Sequence, residues 1–254
     1  MKKTYLLFLL LFFSFANSQS ILSALNYNMK YDVKQSKSID KIVSTLIFYS
    51  SSSIQEFSEI IYLNSNFRVL KEERFSAEGE LKYSTEIKYK NDSMKIGRNT
   101  TTKIPLLGNQ IEYVTYDLDS DNFLINIIKK NKRNQIFETV HLKNDEFGNP
   151  IFLKLNDGAF GYEKANYDYE NNLVTVFYYN SKDELFTSSI AKLNHSKPKN
   201  DDEHNEKGDL VKSSNTLFEY KYDKYGNWIK QIQYNVRGIN KIKESVFTRK
   251  IHYK

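Results

Sequence analysis

The residues with the clearest spacing for chemistry are three aspartates at alternate positions, Asp117, Asp119 and Asp121. This spacing opens a calcium-binding loop, because alternation brings hard carboxylate oxygens towards one ion. Two features of such a loop are missing. Asn122 stands where the loop has a glycine, and Ile128 stands where it has a bidentate glutamate. The three aspartates are a weak calcium candidate, and an acidic hairpin turn is the alternative.

Histidines and catalytic motifs give little support for a reaction. His195 and His204 lie in a polar, acidic stretch, which would bind a divalent ion only with ordered ligands. His141 and His252 fall in predicted strands. The chain has no Gly-x-Ser-x-Gly, no His-Glu-x-x-His and no glycine-rich phosphate loop. We predict no enzyme and no cofactor, although the two distant carboxylates of a glycan-cleaving enzyme would leave no local motif.

Aromatic side chains are the other candidates for ligand contact. The chain holds 19 Tyr, 17 Phe and one Trp. Exposed rings on a sheet can stack on sugars, but alternating and strand-end placement favours packing within the sheet. Packing does not settle the role of Trp228, and Tyr225 lies in the turn before it. These two residues are our candidate ligand contacts.

The elements that must position these residues are β-strands. Leu81–Lys90 alternates apolar and polar residues throughout, and so does Leu25–Lys34, as half-buried antiparallel strands do. Ile39–Ile47 fits either a helical stripe or a strand, and its β-branched residues favour the strand. Short polar turns separate the predicted strands. The sequence therefore predicts an all-β, antiparallel meander of consecutive hairpins, as an open, curved or barrel-like sheet.

Residues 1–18 have the pattern of a cleaved secretory signal helix. Two lysines precede a short apolar run, and Ala16 and Ser18 are small residues before the expected first mature residue, Gln19. The run is shorter than the ~20 residues that span a bilayer, so we expect cleavage and no membrane span afterwards. The predicted location is the periplasm or the exterior of a bacterial cell.

Composition narrows the class of the mature chain. The absence of cysteine excludes disulfides, thiol catalysis and a lipidated cysteine. Loss of the two signal lysines lowers the formal net charge of +6 by two, and no basic block remains for nucleic acid. The stretch 194–215 is polar and is predicted as an exposed, mobile loop within a single domain, 19–254.

One stretch carries a family resemblance. It reads Tyr-x-Tyr-Asp-x-x-Gly-Asn and ends on another aromatic residue, and its matching positions are Tyr220, Tyr222, Asp223, Gly226, Asn227 and Tyr234. It resembles the YD repeat of the RHS family, and also small secreted proteins of Bacteroidota-type bacteria. His141–Pro150 looks like a second copy that keeps Asp145, Gly148 and Asn149, and Tyr234–Gly238 resembles the start of a third. The resemblance implies a run of β-hairpins and no catalytic residues.

Together these observations predict a secreted, non-catalytic β-repeat protein. We expect an envelope or extracellular interaction module whose partner is a protein or a glycan. A sheet that is not closed offers edges and a wide face for such contacts. The alternatives are a carbohydrate-binding module and a glycan-cleaving enzyme.

Overall fold

The structure is a computed structural model, and it describes residues 20–34, 37–50, 53–156, 161–193 and 202–254. Over these residues the chain is all-β, and 17 strands form one antiparallel meander sheet that is not closed. The expected signal helix lies outside the described residues. The elements are α1 (Ile21–Leu25), β1 (Ile39–Tyr49), β2 (Ile54–Leu63), β3 (Val69–Phe75), β4 (Leu81–Lys90), β5 (Met94–Ile104), β6 (Gly108–Leu118), β7 (Leu124–Asn131), β8 (Ile136–Asn144), β9 (Pro150–Leu155), β10 (Tyr162–Asp168), β11 (Leu173–Tyr179), β12 (Leu185–Lys192), β13 (Glu203–His204), β14 (Leu210–Ser213), β15 (Thr216–Tyr222), β16 (Trp228–Arg237) and β17 (Asn240–Tyr253).

The chain divides into two compact units, and the first comprises Met1–Tyr27, Tyr116–Ile128 and Glu138–Leu193. In unit 1 the strands pair in chain order from β8 to β12. The short helix α1 packs against β9 and β10, and the Ile21 N–H donates to the Glu163 carboxylate at 2.8 Å. The buried hydrophobic residues of unit 1 are Ile21, Ala24, Tyr116, Leu124, Ile127, Val140, Leu142, Leu153, Ala165, Val174 and Val176.

Unit 2 comprises Asn28–Thr115, Lys129–Phe137 and Asn194–Lys254. Its central strand is β1, which pairs with β2 on one side and with the last strand, β17, on the other. From β2 the pairing continues in chain order to β6, and from β17 it runs back to β13. The core cluster of this unit is Ile39, Ile42, Ile61 and Leu63, with Tyr31, Val33, Phe67, Val69, Ile251 and Tyr253 packed against it.

The structure differs from the predicted elements in three places. Leu25–Lys34 is not a strand: its first residue ends α1, and turns and irregular backbone follow. Its alternating residues instead pack from an irregular segment, since Tyr31 and Val33 both contact the unit 2 core. Strand β5 was not predicted, because Gly97 and the six polar residues that follow it interrupt the apolar pattern. Within the predicted loop 194–215, β13 and β14 are short strands, and 194–201 lies outside the described residues.

Candidate functional site

A single turn geometry recurs along the chain and organises the candidate site. In the described residues, eight five-residue turns share two backbone hydrogen bonds: the first N–H donates to the fifth carbonyl, and the fourth N–H donates to the first carbonyl. These turns are 64–68, 76–80, 119–123, 131–135, 145–149, 180–184, 205–209 and 223–227. We call them the five-residue turns. They connect consecutive antiparallel strands.

The first and fourth residues explain why the sequence forms these turns. In all except 76–80, the first residue is Asp or Asn, and its side-chain oxygen accepts hydrogen bonds from the third and fifth backbone N–H groups. Short Asx side chains are suited to this local capping. The fourth residue has a positive φ in every case, and it is Gly, Asn, Asp or, at position 67, Phe. An Asx–x–x–(Gly/Asn) pattern is therefore the sequence signal of this turn.

Tyrosines two positions apart hold the preceding turn in place. The Tyr222 hydroxyl donates to the Asp209 carboxylate at 2.7 Å and accepts from the Asn205 amide at 2.6 Å, so it bridges both ends of the turn 205–209. The Tyr220 hydroxyl donates to the Leu210 carbonyl at 2.9 Å, one residue beyond that turn. Burial, and then the hydrogen bond to Asp209, raises the pKa of Tyr222 to about 12.

The same arrangement occurs in unit 1. The Tyr169 hydroxyl donates to the Asp145 carboxylate and accepts from the Asn149 amide, and so it bridges the turn 145–149. The Tyr167 hydroxyl donates to the Pro150 carbonyl at 2.7 Å. In both units the two tyrosines thus secure the preceding turn. In unit 2 the next residue, Asp223, also caps the turn that follows, whereas Glu170 stands at the corresponding position in unit 1.

The turn 223–227 is the best-enclosed example, because Asn227 is only 1% exposed. Its side-chain oxygen accepts from the Lys34 N–H at 2.6 Å, and its amide donates to the Tyr253 hydroxyl at 2.9 Å. Tyr253 in turn donates to the Asp223 carboxylate. Burial, and then this hydrogen bond, raises the pKa of Tyr253 to about 12. Asn227 therefore ties the turn to both the irregular N-terminal segment and the last strand.

Trp228, the first candidate ligand contact, is half-buried and surrounded by side chains of unit 2. The Arg249 guanidinium lies 3.2 Å from the centre of its ring, and the rings of Phe247 and Tyr220 meet it edge-on. Arg249 is 5% exposed and donates to the Trp228 and Asp32 carbonyls. Burial lowers the pKa of Arg249. Packing and a cation–π contact account for Trp228 without any ligand.

Tyr225, the second candidate, is also half-buried. Its hydroxyl accepts from the Lys37 ammonium at 3.4 Å, and its ring lies 4.5 Å from the ring of Tyr253. The hydrogen bond from Lys37 lowers the pKa of Tyr225. The structure therefore places Trp228 and Tyr225 around one turn, but their rings pack against different neighbours.

Two aspartates of the calcium candidate, Asp119 and Asp121, lie in one five-residue turn of unit 1, and Asp117 lies at the end of β6. The Asp119 carboxylate caps this turn by accepting from the N–H groups of Asp121 and Phe123. The Asp117 carboxylate accepts from the Asn126 amide at 3.5 Å. Among the described residues, no three His, Asp or Glu side chains come close enough to hold a metal ion. The hairpin alternative accounts for the geometry of Asp119.

The histidines do not converge on one site. His141 Nδ1 lies 2.8 Å from the Asn126 side-chain oxygen in unit 1, whereas His204 lies in β13 and His252 in β17 of unit 2. His195 is outside the described residues. A groove of about 440 Å³ in unit 2 is lined by aromatic and polar residues, namely Asn205, Val211, Phe218, Glu219, Tyr220, Lys221, Tyr222, Lys230 and Ile232. Glu219 is the one carboxylate on its walls, whereas glycoside hydrolysis uses two.

Strand β12 of unit 1 is a surface that sequence reasoning missed. It pairs with β11 on one side, and its large apolar side chains remain exposed, with Phe186 at 81% and Ile190 at 69%. The run Leu185–Ala191 carries no charge and no proline. Edge strands normally carry charged residues or proline, because these residues discourage pairing with other chains. The uncharged run itself was the available signal, but only the strand pairing among the described residues shows β12 at an edge.

No family model and no curated protein matches the chain. Among solved structures, the chain is similar to a porin-like protein from Bacteroides uniformis, with 11% sequence identity and a TM-score of 0.29. That match covers 84% of this chain and 98% of the other. In the part of the chain that the structure describes, no helix has the length and apolar character needed to cross a bilayer. The fold and the surfaces described above are therefore the basis for a function.

Proposed function

We propose that the mature chain is an exported, non-catalytic interaction module of the bacterial envelope, and that it binds a protein partner through β12. The observation that carries this proposal is the exposed edge of unit 1. Phe186 and Ile190 lie on this strand, and both side chains are more than two-thirds exposed. An uncharged edge strand is a ready template for a strand from another chain, because its free backbone groups can pair in register.

The rest of the molecule supports a scaffold rather than a reaction centre. The five-residue turns are closed by their own side chains, and the tyrosine hydroxyls of the turns 145–149, 205–209 and 223–227 are engaged within the protein. Such capped hairpins hold neighbouring strands in a fixed register. The export that this function requires is predicted from residues 1–18. The YD-repeat resemblance fits this proposal, since it implies hairpins and no catalytic residues.

Capture of a partner from envelope extract tests the proposal. Tagged mature protein is compared with a variant that carries Phe186→Lys and Ile190→Lys, which place charges on the exposed face of β12. The control carries Leu106→Lys and Ile239→Lys, because these hairpin-tip residues are also exposed, at 106% and 101%. We expect a partner to be retained by the wild type and the control but not by the β12 variant. Equal retention by all three proteins would exclude β12 as the binding surface.

The groove beside Tyr220 and Tyr222 favours carbohydrate binding as a second candidate function. Aromatic walls with nearby amide and carboxylate groups are a common arrangement for sugar contact. Isothermal titration with bacterial envelope glycans, using the wild type and Phe218→Ser, tests this candidate. Binding that weakens in the variant would favour the carbohydrate-binding function, and no binding to any glycan would remove it.

A further inference from the structure

Two hairpin tips of unit 2 carry the most exposed aliphatic side chains of the described residues. Leu106 and Leu107, between β5 and β6, are 106% and 81% exposed, and Ile239, between β16 and β17, is 101% exposed. Single exposed apolar residues are normal on a protein surface, so exposure alone assigns no role to them. The backbone that carries these side chains and the charges beside them distinguish the two tips.

The β5–β6 tip has a leucine where its turn favours glycine or asparagine. The Leu107 N–H donates to the Ile104 carbonyl at 3.2 Å, which closes a turn with Pro105 and Leu106 at its centre. Leu106 has a φ of 68°. A positive φ directly after proline is typical of a type II turn, in which Gly or Asn usually takes this position. A bulky L residue is destabilised in this conformation, so neither the turn nor the core accounts for Leu106.

The β16–β17 tip also has an aliphatic residue in a position that favours a polar one. Gly238 and Ile239 connect Arg237 to Asn240, which pair with each other. Gly238 has a φ of 61°, and a glycine with positive φ at the first of two loop residues is the geometry of a type II′ hairpin. The second residue of such a loop is usually Asn, Asp or Ser. Neither the turn nor the core therefore accounts for Ile239.

Both tips lie at the same end of the strands of unit 2. Strand β17 begins at its tip, and five successive antiparallel pairings lead from β17 through β1, β2, β3 and β4 to β5. Because each pairing reverses the strand direction, β5 ends where β17 begins. Five steps of about 4.8 Å separate the two hairpins by about 24 Å along the sheet. We call the segments 103–109 and 237–243 the tip segments.

The tip segments are cationic. Together they contain three lysines and one arginine and no acidic residue. Lys241 is in an ion pair with Glu219, whereas the side chains of Lys103 and Arg237 are exposed. Glu80, an acid of a neighbouring hairpin, is also in an ion pair. The tips therefore present aliphatic side chains beside exposed positive charge.

We infer that the two tips dock on a lipid bilayer surface that carries anionic headgroups. This contact belongs to unit 2 and goes beyond the protein partner proposed for β12 of unit 1. Charge complementarity selects this occupant, since exposed cations flank both tips and attract anionic headgroups. The tips enter one leaflet only, because a bilayer core of about 30 Å is much thicker than a hairpin tip is long.

The spacing between the cations and the aliphatic residues fits this contact. At about 3.3 Å per residue, Lys103 lies about 10 Å from Leu106, and Arg237 lies about 7 Å from Ile239. Apolar groups of surface-bound segments enter the headgroup–acyl boundary by about 5–10 Å. Long basic side chains can therefore keep their charges among the headgroups while the aliphatic side chains reach the acyl chains.

Vesicle sedimentation tests the inference. We expect the mature protein to bind vesicles of phosphatidylcholine with phosphatidylglycerol about tenfold more tightly than vesicles of phosphatidylcholine alone. Leu106→Asn with Ile239→Asn should weaken binding to the anionic vesicles by about tenfold or more. The matched control, Phe186→Asn with Ile190→Asn, removes two exposed apolar side chains from β12 and should bind as the wild type does. No binding by the wild type, or equal binding by all three proteins, would overturn the inference.

The asparagine substitutions separate vesicle binding from folding. Asparagine tolerates the positive φ at position 106 and suits the hairpin loop at position 239. We therefore expect the urea midpoint of Leu106→Asn with Ile239→Asn to equal or exceed that of the wild type. Weaker vesicle binding with unchanged stability supports docking by the tips. A fall in stability would instead assign these side chains to the fold and overturn the inference.

A fluorescent label tests which end of unit 2 meets the bilayer, because the chain has no cysteine of its own. An environment-sensitive dye on Leu107→Cys should shift to the blue when anionic vesicles are added. The same dye on Ser65→Cys, in the turn 64–68 at the other end of β2, should not shift. A shift at Ser65→Cys alone, or at neither position, would overturn the placement. None of these measurements depends on β12, so capture of a protein partner stands or fails separately.

Discussion

Two five-residue turns with the same hydrogen bonds depend on different contacts. The turns 145–149 and 223–227 are both capped by an aspartate, both have a glycine with positive φ, and both are bridged by a tyrosine hydroxyl. In unit 1 the space beside the glycine is occupied: a Cβ on Gly148 would lie 2.4 Å from the Phe123 ring. In unit 2 the nearest atoms to a Cβ on Gly226 are 4.0 Å away.

For the asparagines that end these turns, unit 2 has the more buried residue with more partners. Asn227 is buried and holds Lys34 as well as Tyr253, whereas Asn149 contacts Tyr169 at the surface. In unit 1 the surrounding side chains leave no space for a residue larger than Gly148. In unit 2 the buried hydrogen bonds require Asn227. An identical motif in sequence does not identify which of its residues matters most.

The largest difference is expected at the two glycines. Gly148→Ala forces an L residue into a positive φ and drives its Cβ into Phe123, so we expect a loss of about 3 kcal/mol in the free energy of unfolding. For Gly226→Ala we expect a loss of only about 1 kcal/mol in the free energy of unfolding, because the alanine adopts a positive φ without a steric clash. Urea unfolding of both variants measures the two values. Equal losses would show that sterics at Phe123 do not distinguish the turns.

The asparagines should show the reverse order. Asn227→Ala leaves the Lys34 N–H without its partner and removes one of the two hydrogen bonds of the Tyr253 hydroxyl, and we expect a loss of about 2 kcal/mol. Asn149→Ala exposes its partners to water, so we expect about 0.5 kcal/mol. Thermal and urea unfolding provide the comparison. A larger effect at Asn149 would contradict the assignment of Asn227 as the anchor of the N-terminal segment.

We expect the two bridging tyrosines, Tyr253 and Tyr169, to contribute differently to stability at alkaline pH. The pKa of Tyr253 is about 12 when folded and about 10 when unfolded, so the folded state holds this proton more tightly. Its contribution is fully present below pH ~10 and is lost as the pH rises through ~12. Stability measured across this window should fall less steeply in Tyr253→Phe than in the wild type. Tyr169→Phe should change the slope less, because Tyr169 is 46% exposed.

The smallest effect is expected at the calcium candidate. Asp119→Asn should change stability by less than about 0.5 kcal/mol, because Asn131 and Asn180 cap the same kind of turn with an amide oxygen. Calcium and a chelator should leave the melting temperature of the wild type unchanged. A rise in melting temperature with calcium that Asp119→Asn abolishes would restore the metal interpretation.

The fold class followed from the sequence because two-residue alternation and Asx–Gly turns are both local signals. The pattern of Ile39–Ile47 fitted either a helix or a strand. It is a strand in the structure because β2 and β17 pair with it on its two sides. That pairing joins residues some 200 positions apart, which no local pattern contains. Leu25–Lys34 failed for the same reason: Tyr31 and Val33 pack on the unit 2 core from irregular backbone, whereas Met29 is exposed.

The candidate site was predicted less well than the fold. The motif around Asp223 and Gly226 was found as a turn, but the partners that bury Trp228 come from β15 and β17. The exposed edge at β12 was not found, because exposure depends on which strands pair. An uncharged strand such as Leu185–Ala191 reads as a core strand until its neighbours are known.

Hydrogen exchange of the β12 amides tests the central claim, that this edge receives a strand from another chain. The wild-type protein is measured with and without envelope extract, with β11 as the internal reference. We predict that protection rises at residues 185–192 when the extract is added and stays unchanged in β11, because new backbone hydrogen bonds form only at the edge. Protection of β12 that is unchanged when envelope extract is added would contradict the account.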